Sequence, residues 1–154
     1  MFDPADFRLD GQVAVVTGAG AGIGRVIAET FAAAGAGVVA SDLDAGAARA
    51  VADGIVARGG QALGMACDVT REDALEALVR ETVARFGKLT VLVSNAGMDV
   101  FSPPLDLSAD TWQRNLDVNL GGVVSGCRAF LPKMVERNTG GHVVNVSSMA
   151  AYAP

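Results

Sequence analysis

The stretch VAVVTGAGAGIG, Val13 to Gly24, constrains the fold more than any other part of the chain. Val13 to Thr17 is a short apolar, β-branched run of strand length, and glycines follow at once, before a segment with helical spacing. A strand that feeds a helix through a glycine turn starts a β-α unit. Glycines at 18, 22 and 24 allow a tight turn and leave room for a phosphate to approach the backbone. The helix that follows offers free N–H groups and the positive end of its dipole. Such a turn suits the pyrophosphate of a dinucleotide, although glycine turns without ligands also occur.

The same alternation continues along the chain. GVVAS (Gly37 to Ser41), QALGMAC (Gln61 to Cys67), LTVLVS (Leu89 to Ser94) and HVVNV (His142 to Val146) read as further strands. They are apolar on both faces, as strands covered from both sides must be. Helical spacing predicts helices over Gly22 to Ala34, Ala45 to Arg58, Arg71 to Phe86 and Ala109 to about Arg137. Thr70 and Ser108 are candidate N-caps, Asp44 is better placed than Asp42 to cap the second helix, and Gly35, Gly59 and Gly87 suit left-handed C-terminal positions. Pro132 is expected to kink or end the last helix. Parallel strands need such crossovers, so the expected fold is α/β, a doubly wound parallel sheet. With no repeat, linker or low-complexity tract, residues 1–154 read as one domain or part of one.

The glycine spacing is T-G-x-x-x-G-I-G, over Thr17 to Gly24, and not G-x-G-x-x-G. In this the chain resembles the short-chain dehydrogenase/reductase family, and the resemblance runs over its whole length. It implies a Rossmann-type sheet binding a nicotinamide dinucleotide, with Gly18, Gly20, Ala21, Gly22, Ile23 and Gly24 at the phosphates. Asp42 ends the second strand, where a carboxylate can accept hydrogen bonds from both ribose hydroxyls and repel a 2′-phosphate. Neither Ala21 nor the next residue, Leu43, is basic, so NAD is expected in preference to NADP. Asp68 and Val69 follow the third strand, where the family contacts adenine. SNAG, Ser94 to Gly97, is similar to the family's NNAG, with Ser94 in place of the first asparagine. There Asn95 can tie strands together, and Ala96 and Gly97 leave space for the cofactor.

The resemblance also implies two catalytic positions. Asn119 lies 24 positions after Asn95, as does the family's active-site asparagine, which holds a proton-relaying water. Ser148, the second serine of NVSS, matches the serine that hydrogen-bonds the reacting oxygen of the substrate. The family's acid is the tyrosine of Y-x-x-x-K, on the following helix, where the lysine shares its face and lowers its pKa. Tyr152 comes too soon after Ser148 and has no lysine four residues on, so it is not expected to be that acid. His142 reads as a half-exposed strand residue. The chain therefore carries the cofactor half and the serine of a dehydrogenase. A truncated sequence, or the ordered part of a longer protein, is expected over a small evolved domain, with the sheet incomplete on its C-terminal side and HVVNV left as an apolar edge.

Composition closes off other classes. Twelve Lys and Arg against seventeen Asp and Glu give a net charge of -5, which disfavours a nucleic-acid binder. No stretch reads as a signal peptide or a membrane span, so a cytoplasmic protein is expected. Cys67 and Cys127 are too few and too far apart for a metal site or a disulfide framework. The expectation is an NAD-dependent oxidoreductase acting on a small secondary alcohol or ketone, homo-oligomeric when complete. The alternative is a dinucleotide-binding module without catalysis. Met98, Val100 and Phe101 are candidate walls of a substrate pocket.

Overall fold

The computed structural model describes residues 7–100, 103–138 and 140–148. Strands β1 (Val13–Thr17), β2 (Gly37–Asp42), β3 (Gln61–Ala66), β4 (Val91–Ser94) and β5 (His142–Asn145) alternate with helices α1 (Gly22–Ala33), α2 (Ala45–Ala57), α3 (Glu72–Phe86), α4 (Ala109–Leu116) and α5 (Gly122–Glu136). All pairings are parallel, and the order across the sheet is β3-β2-β1-β4-β5. The chain thus winds outward from β1 in one direction and then returns to wind outward in the other.

Period-two alternation along the strands divides the core into two. Ala14 and Val16 of β1, with Val38 and Ala40 of β2, face one way and pack with Ala28 of α1 and Val51 and Ile55 of α2. Val15, Val39 and Leu92 face the other way and meet Leu75 and Leu78 of α3 and Phe130 and Met134 of α5. The sheet is covered on both faces, which is why its central strands are apolar throughout. Phe130 and Leu92 are fully buried, at 0% exposure. Truncating a phenylalanine so placed costs about 3–5 kcal/mol. By contrast β5 is an edge, and Val144 and Val146 are exposed.

Most of the expected helix ends hold. Asp44 caps α2 by accepting from the N–H groups of Gly46 and Ala47, and Ser108 caps α4 through Thr111. Gly87 ends α3 in the left-handed region, at φ 71°, and Gly35 and Gly59 are also left-handed. Thr70 does not cap α3. Arg71 occupies that position with no side-chain cap, and the Thr70 hydroxyl donates to Asp68 instead, at 2.7 Å.

The last predicted helix is not continuous. Between α4 and α5 the backbone widens into a π-helical turn, Asp117–Gly121, in which the N–H of Gly122 donates to the carbonyl of Asp117, five residues back. Gly122 passes so close to Val69 that a Cβ would lie 2.8 Å from its Cγ2. Pro132 lies inside α5 without ending it. It and Arg128 are exposed, so the carbonyl that loses its donor can turn to water.

Candidate active site at the carboxyl edge of the sheet

The winding direction reverses between β1 and β4, and in an open parallel sheet a crevice forms outside the strand ends at such a point. A cavity of about 450 Å³ lies there. Gly18, Asp42, Leu43, Asp68, Val69, Ala96, Gly97 and Met98 line one side of it, and Thr111, Arg114 and Val118 the other. The residues that follow β1, β2, β3 and β4 are thereby brought to one place.

The glycine turn is built around a missing side chain. A Cβ on Gly24 would lie 2.2 Å from the Gly18 carbonyl oxygen and 2.4 Å from Nδ2 of Asn95. Gly18 itself has φ 64°, and a Cβ there would meet Cα of Ala96 at 2.8 Å. Both glycines are therefore fixed by space, and Gly18 by conformation as well. No side chain caps α1, whose N-cap is Ala21, and Ala21, Gly22 and Ile23 are exposed. Its first-turn N–H groups therefore have no side-chain acceptor, as a phosphate site requires.

Two polar side chains weld β1 to the loop after β4. The Thr17 hydroxyl donates to the carbonyl of Val93 and accepts from the N–H groups of Asn95 and Ala96. Nδ2 of Asn95 donates to the carbonyls of Thr17 and Gly18, at 2.9 and 3.1 Å. Asn95 ties the strands together as its position in SNAG suggested. Thr17 escaped the sequence reading, although a threonine ending an apolar strand was a signal for it.

Asp42 is also held in place. Its Oδ2 accepts from the N–H of Gly20 at 2.8 Å, and its Oδ1 from the N–H of Asp44 at 3.0 Å. Each carboxylate oxygen keeps acceptor capacity for a ligand hydroxyl. Gly20 is tight here, since a Cβ on it would lie 2.8 Å from the Asp42 carboxyl carbon. In Asp68, Oδ1 accepts from both the hydroxyl and the N–H of Thr70. Those bonds hold its carboxyl below the usual range, and Arg71 and Arg114 add to the effect.

Asn119 lies in the π-helical turn. Its Oδ1 accepts from the N–H of Met98, and its Nδ2 donates to the Met98 carbonyl and to Oδ1 of Asn115, each at 2.8 Å. Both donor hydrogens are engaged, so a water at this side chain can only donate to Oδ1. Insertions of this kind in α-helices are frequent at functional sites, and no periodicity in the sequence announced this one. Asn119 does not line the cavity itself, but its Oδ1 would lie 3.1 Å from a Cβ on Gly97, which does. Ser148 follows β5 at the same end of the sheet, is exposed, and is not among the lining residues. Met98 lines the cavity and Val100 does not, while Phe101 and Tyr152 lie outside the described residues. Among the described residues, no three His, Cys, Asp or Glu side chains converge as a metal ion would require, and no helix is long and apolar enough to cross a membrane.

With this geometry in view, similarity to known proteins is specific. The sequence model described as short chain dehydrogenase matches residues 12–154. A 7alpha-hydroxysteroid dehydrogenase from Escherichia coli is 43% identical over 151 residues, covering 98% of this chain and 58% of its own. A probable oxidoreductase, EphD, from Mycobacterium tuberculosis is 51% identical over 139 residues, which are 90% of this chain and 24% of that protein. A solved 7α-hydroxysteroid dehydrogenase, complexed with NADH and 7-oxo glycochenodeoxycholic acid, superposes with a TM-score of 0.92 at 42% identity, covering all of this chain and 60% of its own. The chain thus spans from about a quarter to three fifths of the length of these proteins.

Proposed function

The chain belongs to the short-chain dehydrogenase family, and from that premise we propose that it is the cofactor-holding part of an NAD-dependent oxidoreductase acting on a secondary alcohol or ketone. One observation carries the cofactor choice. Asp42 is fixed at the cavity by Gly20 and Asp44, with spare lone pairs and, at the sequence-adjacent position, the apolar Leu43. A carboxylate so placed accepts from two ribose hydroxyls and opposes a phosphate on either.

The residues present fit a dinucleotide. The backbone from Gly18 through Gly20, Ala21, Gly22, Ile23 and Gly24 would hold the pyrophosphate, where a Cβ on Gly24 would fill the cradle. Asp68 would accept from the adenine amino group, with Leu43 and Val69 against the ring. Asn95, Ala96 and Gly97 would border the nicotinamide half. When bound, the nicotinamide supplies or accepts the hydride. The Ser148 hydroxyl would donate to the substrate oxygen as charge develops there. A relaying water would donate to Oδ1 of Asn119. The same reading extends to a cytoplasmic homo-oligomer working on a small molecule, with neither nucleic acid nor membrane as a partner. Its relatives carry dehydrogenase names, which favours catalysis over a purely binding module.

Fluorescence titration of the complete protein with NADH and NADPH tests the cofactor assignment. NADH should bind more tightly. Asp42→Ala should weaken it by roughly ten- to a hundredfold, since bonds to a charged acceptor contribute about 1.5–3 kcal/mol, and should narrow the gap to NADPH. Equal affinity of the unmutated protein for both cofactors refutes the assignment. For catalysis, Ser148→Ala should lower turnover by about 10²–10³, as loss of a preorganised donor does. Tyr152→Phe should stay within several-fold, and the opposite ranking would overturn the register on which Ser148 was chosen.

A further inference from the structure

The cavity has a second wall that no sequence pattern pointed to. Thr111 and Arg114 of α4, with Val118 in the π-helical turn, line it opposite Asp42, Leu43, Asp68 and Val69. Spacings of three and four residues put these side chains on one helical face. Among the described lining residues Arg114 is the only cation, and the carboxylates of Asp42 and Asp68 line the same cavity. Five other arginines form surface ion pairs: Arg8 with Asp10, Arg25 and Arg58 with Glu29, Arg71 with Asp73, and Arg128 with Glu72, whereas among the described residues Arg49, Arg80, Arg85 and Arg137 form none and do not line the cavity. Among the described residues Arg114 forms no ion pair and no side-chain hydrogen bond, although its charge is felt at Asp68. An exposed guanidinium held at a cavity mouth and left unpaired is available to a ligand.

The carboxylate of Asp68 repels a phosphate-bearing ligand, and a nearby cation offsets that repulsion. A guanidinium is also planar and weakly hydrated, so it stacks on an aromatic face where an ammonium would keep its water. Leu43, Val69 and Val118 give the same cavity apolar surface against which a flat ring can pack. We propose that Arg114 closes the adenine end of the cavity, laying its guanidinium against the purine and compensating the charge of Asp68. This rests on the dinucleotide reading and adds a cofactor-binding residue to it.

The test compares the complete protein with Arg114→Ala and Arg114→Lys, measuring dissociation constants for NADH by fluorescence and for ADP-ribose by calorimetry. Arg114 is exposed on a helix without buried residues, so neither variant disturbs the core. Arg114→Ala should weaken NADH and ADP-ribose by the same factor, roughly three- to thirtyfold, because the contact is to the half they share. Arg114→Lys should restore only part of the loss, since it returns charge without the plane. In turnover, KM for the cofactor should rise while kcat holds. A change of less than twofold in the ADP-ribose constant, or full recovery in Arg114→Lys, overturns the stacking role. If the unmutated protein binds neither NADH nor ADP-ribose, it is the dinucleotide reading that falls.

Discussion

Replacing Gly24 with alanine adds one methyl group at the tightest point of the glycine turn. The new Cβ would stand 2.2 Å from the Gly18 carbonyl oxygen and 2.4 Å from Nδ2 of Asn95. Non-bonded carbons pack best at about 3.5–4.0 Å, so something must move by more than an ångström. Neither neighbour is free to do so. Gly18 holds a left-handed backbone, and Nδ2 of Asn95 is bonded to the carbonyls of both Thr17 and Gly18. Overpacking of this kind costs about 1–3 kcal/mol. Displacing the Asn95 amide forfeits both of these hydrogen bonds, at about 0.5–1.5 kcal/mol each. Alanine gains about 1 kcal/mol over glycine from helix propensity. The net expectation for Gly24→Ala is a loss of about 1–5 kcal/mol. Urea unfolding of the complete protein followed by circular dichroism reads this, with NADH binding measured in parallel. Gly22→Ala is the control, because Gly22 has φ 53° and no atom within 4 Å of a Cβ. It should show only the left-handed penalty of about 1–2 kcal/mol. Adding Asn95→Ala should make the Gly24→Ala step smaller, since the clashing amide is gone. A Gly24→Ala protein as stable as its parent, still binding NADH normally, would mean that the turn is not shaped by this contact.

Two further substitutions probe other parts of the fold. Gly54 lies within α2, and the nearest atom to its Cβ would be Nη1 of Arg58 at 3.7 Å, an ordinary contact. Gly54→Ala should therefore stabilise by about 0.5–1 kcal/mol in the same unfolding assay, and destabilisation would show that the helix surface is tighter than the geometry indicates. Burial pushes the Cys67 thiol up to about 11 from its ordinary 9.0. The unfolded chain loses this proton first, so stability should hold below pH 9 and fall between pH 9 and 11, by on the order of 2 kcal/mol. Cys67→Ala should flatten that part of the profile relative to its parent, and parallel curves would refute the assignment.

How much of this was legible depended on whether the cause was local. The strands announced themselves because a sheet covered on both faces leaves apolar runs such as Val13 to Val16 and Val91 to Val93. The caps at Asp44 and Ser108 were readable because a cap is made within three residues of itself. Thr70 misled for the same reason, as a competing local acceptor, Asp68, lay two residues away and took its hydroxyl. Asn95 was found through a motif shared with a family, and Asp42 through its place at the end of β2. The π-helical turn was not, because its five residues include exposed Asp117, Asn119 and Leu120 and so carry no apolar rhythm to break. Nothing in the sequence marks Arg114 out, because it is one exposed charge on a helix that buries no residue. Only the docking of α4 across the strand ends turns that face toward Asp68.

The bonds gathered by Thr17 have a consequence for how amide protons exchange with solvent. The N–H groups of Asn95 and Ala96 belong to a loop, yet both end on a hydroxyl that is itself bonded to β4 and 5% exposed. They should exchange only when β1 and β4 part, on the slow timescale of the sheet as a whole. The opposite wall has no such anchor. Helix α4 buries none of its residues, and Asn119 reaches the loop at Met98 through exposed groups. Its amides should exchange through low-energy local opening. The cavity should therefore have one wall that opens only with the sheet and one, α4, that opens more readily. A bound cofactor would leave past α4, and the opening rate of that helix, rather than of the glycine turn, would set its residence time.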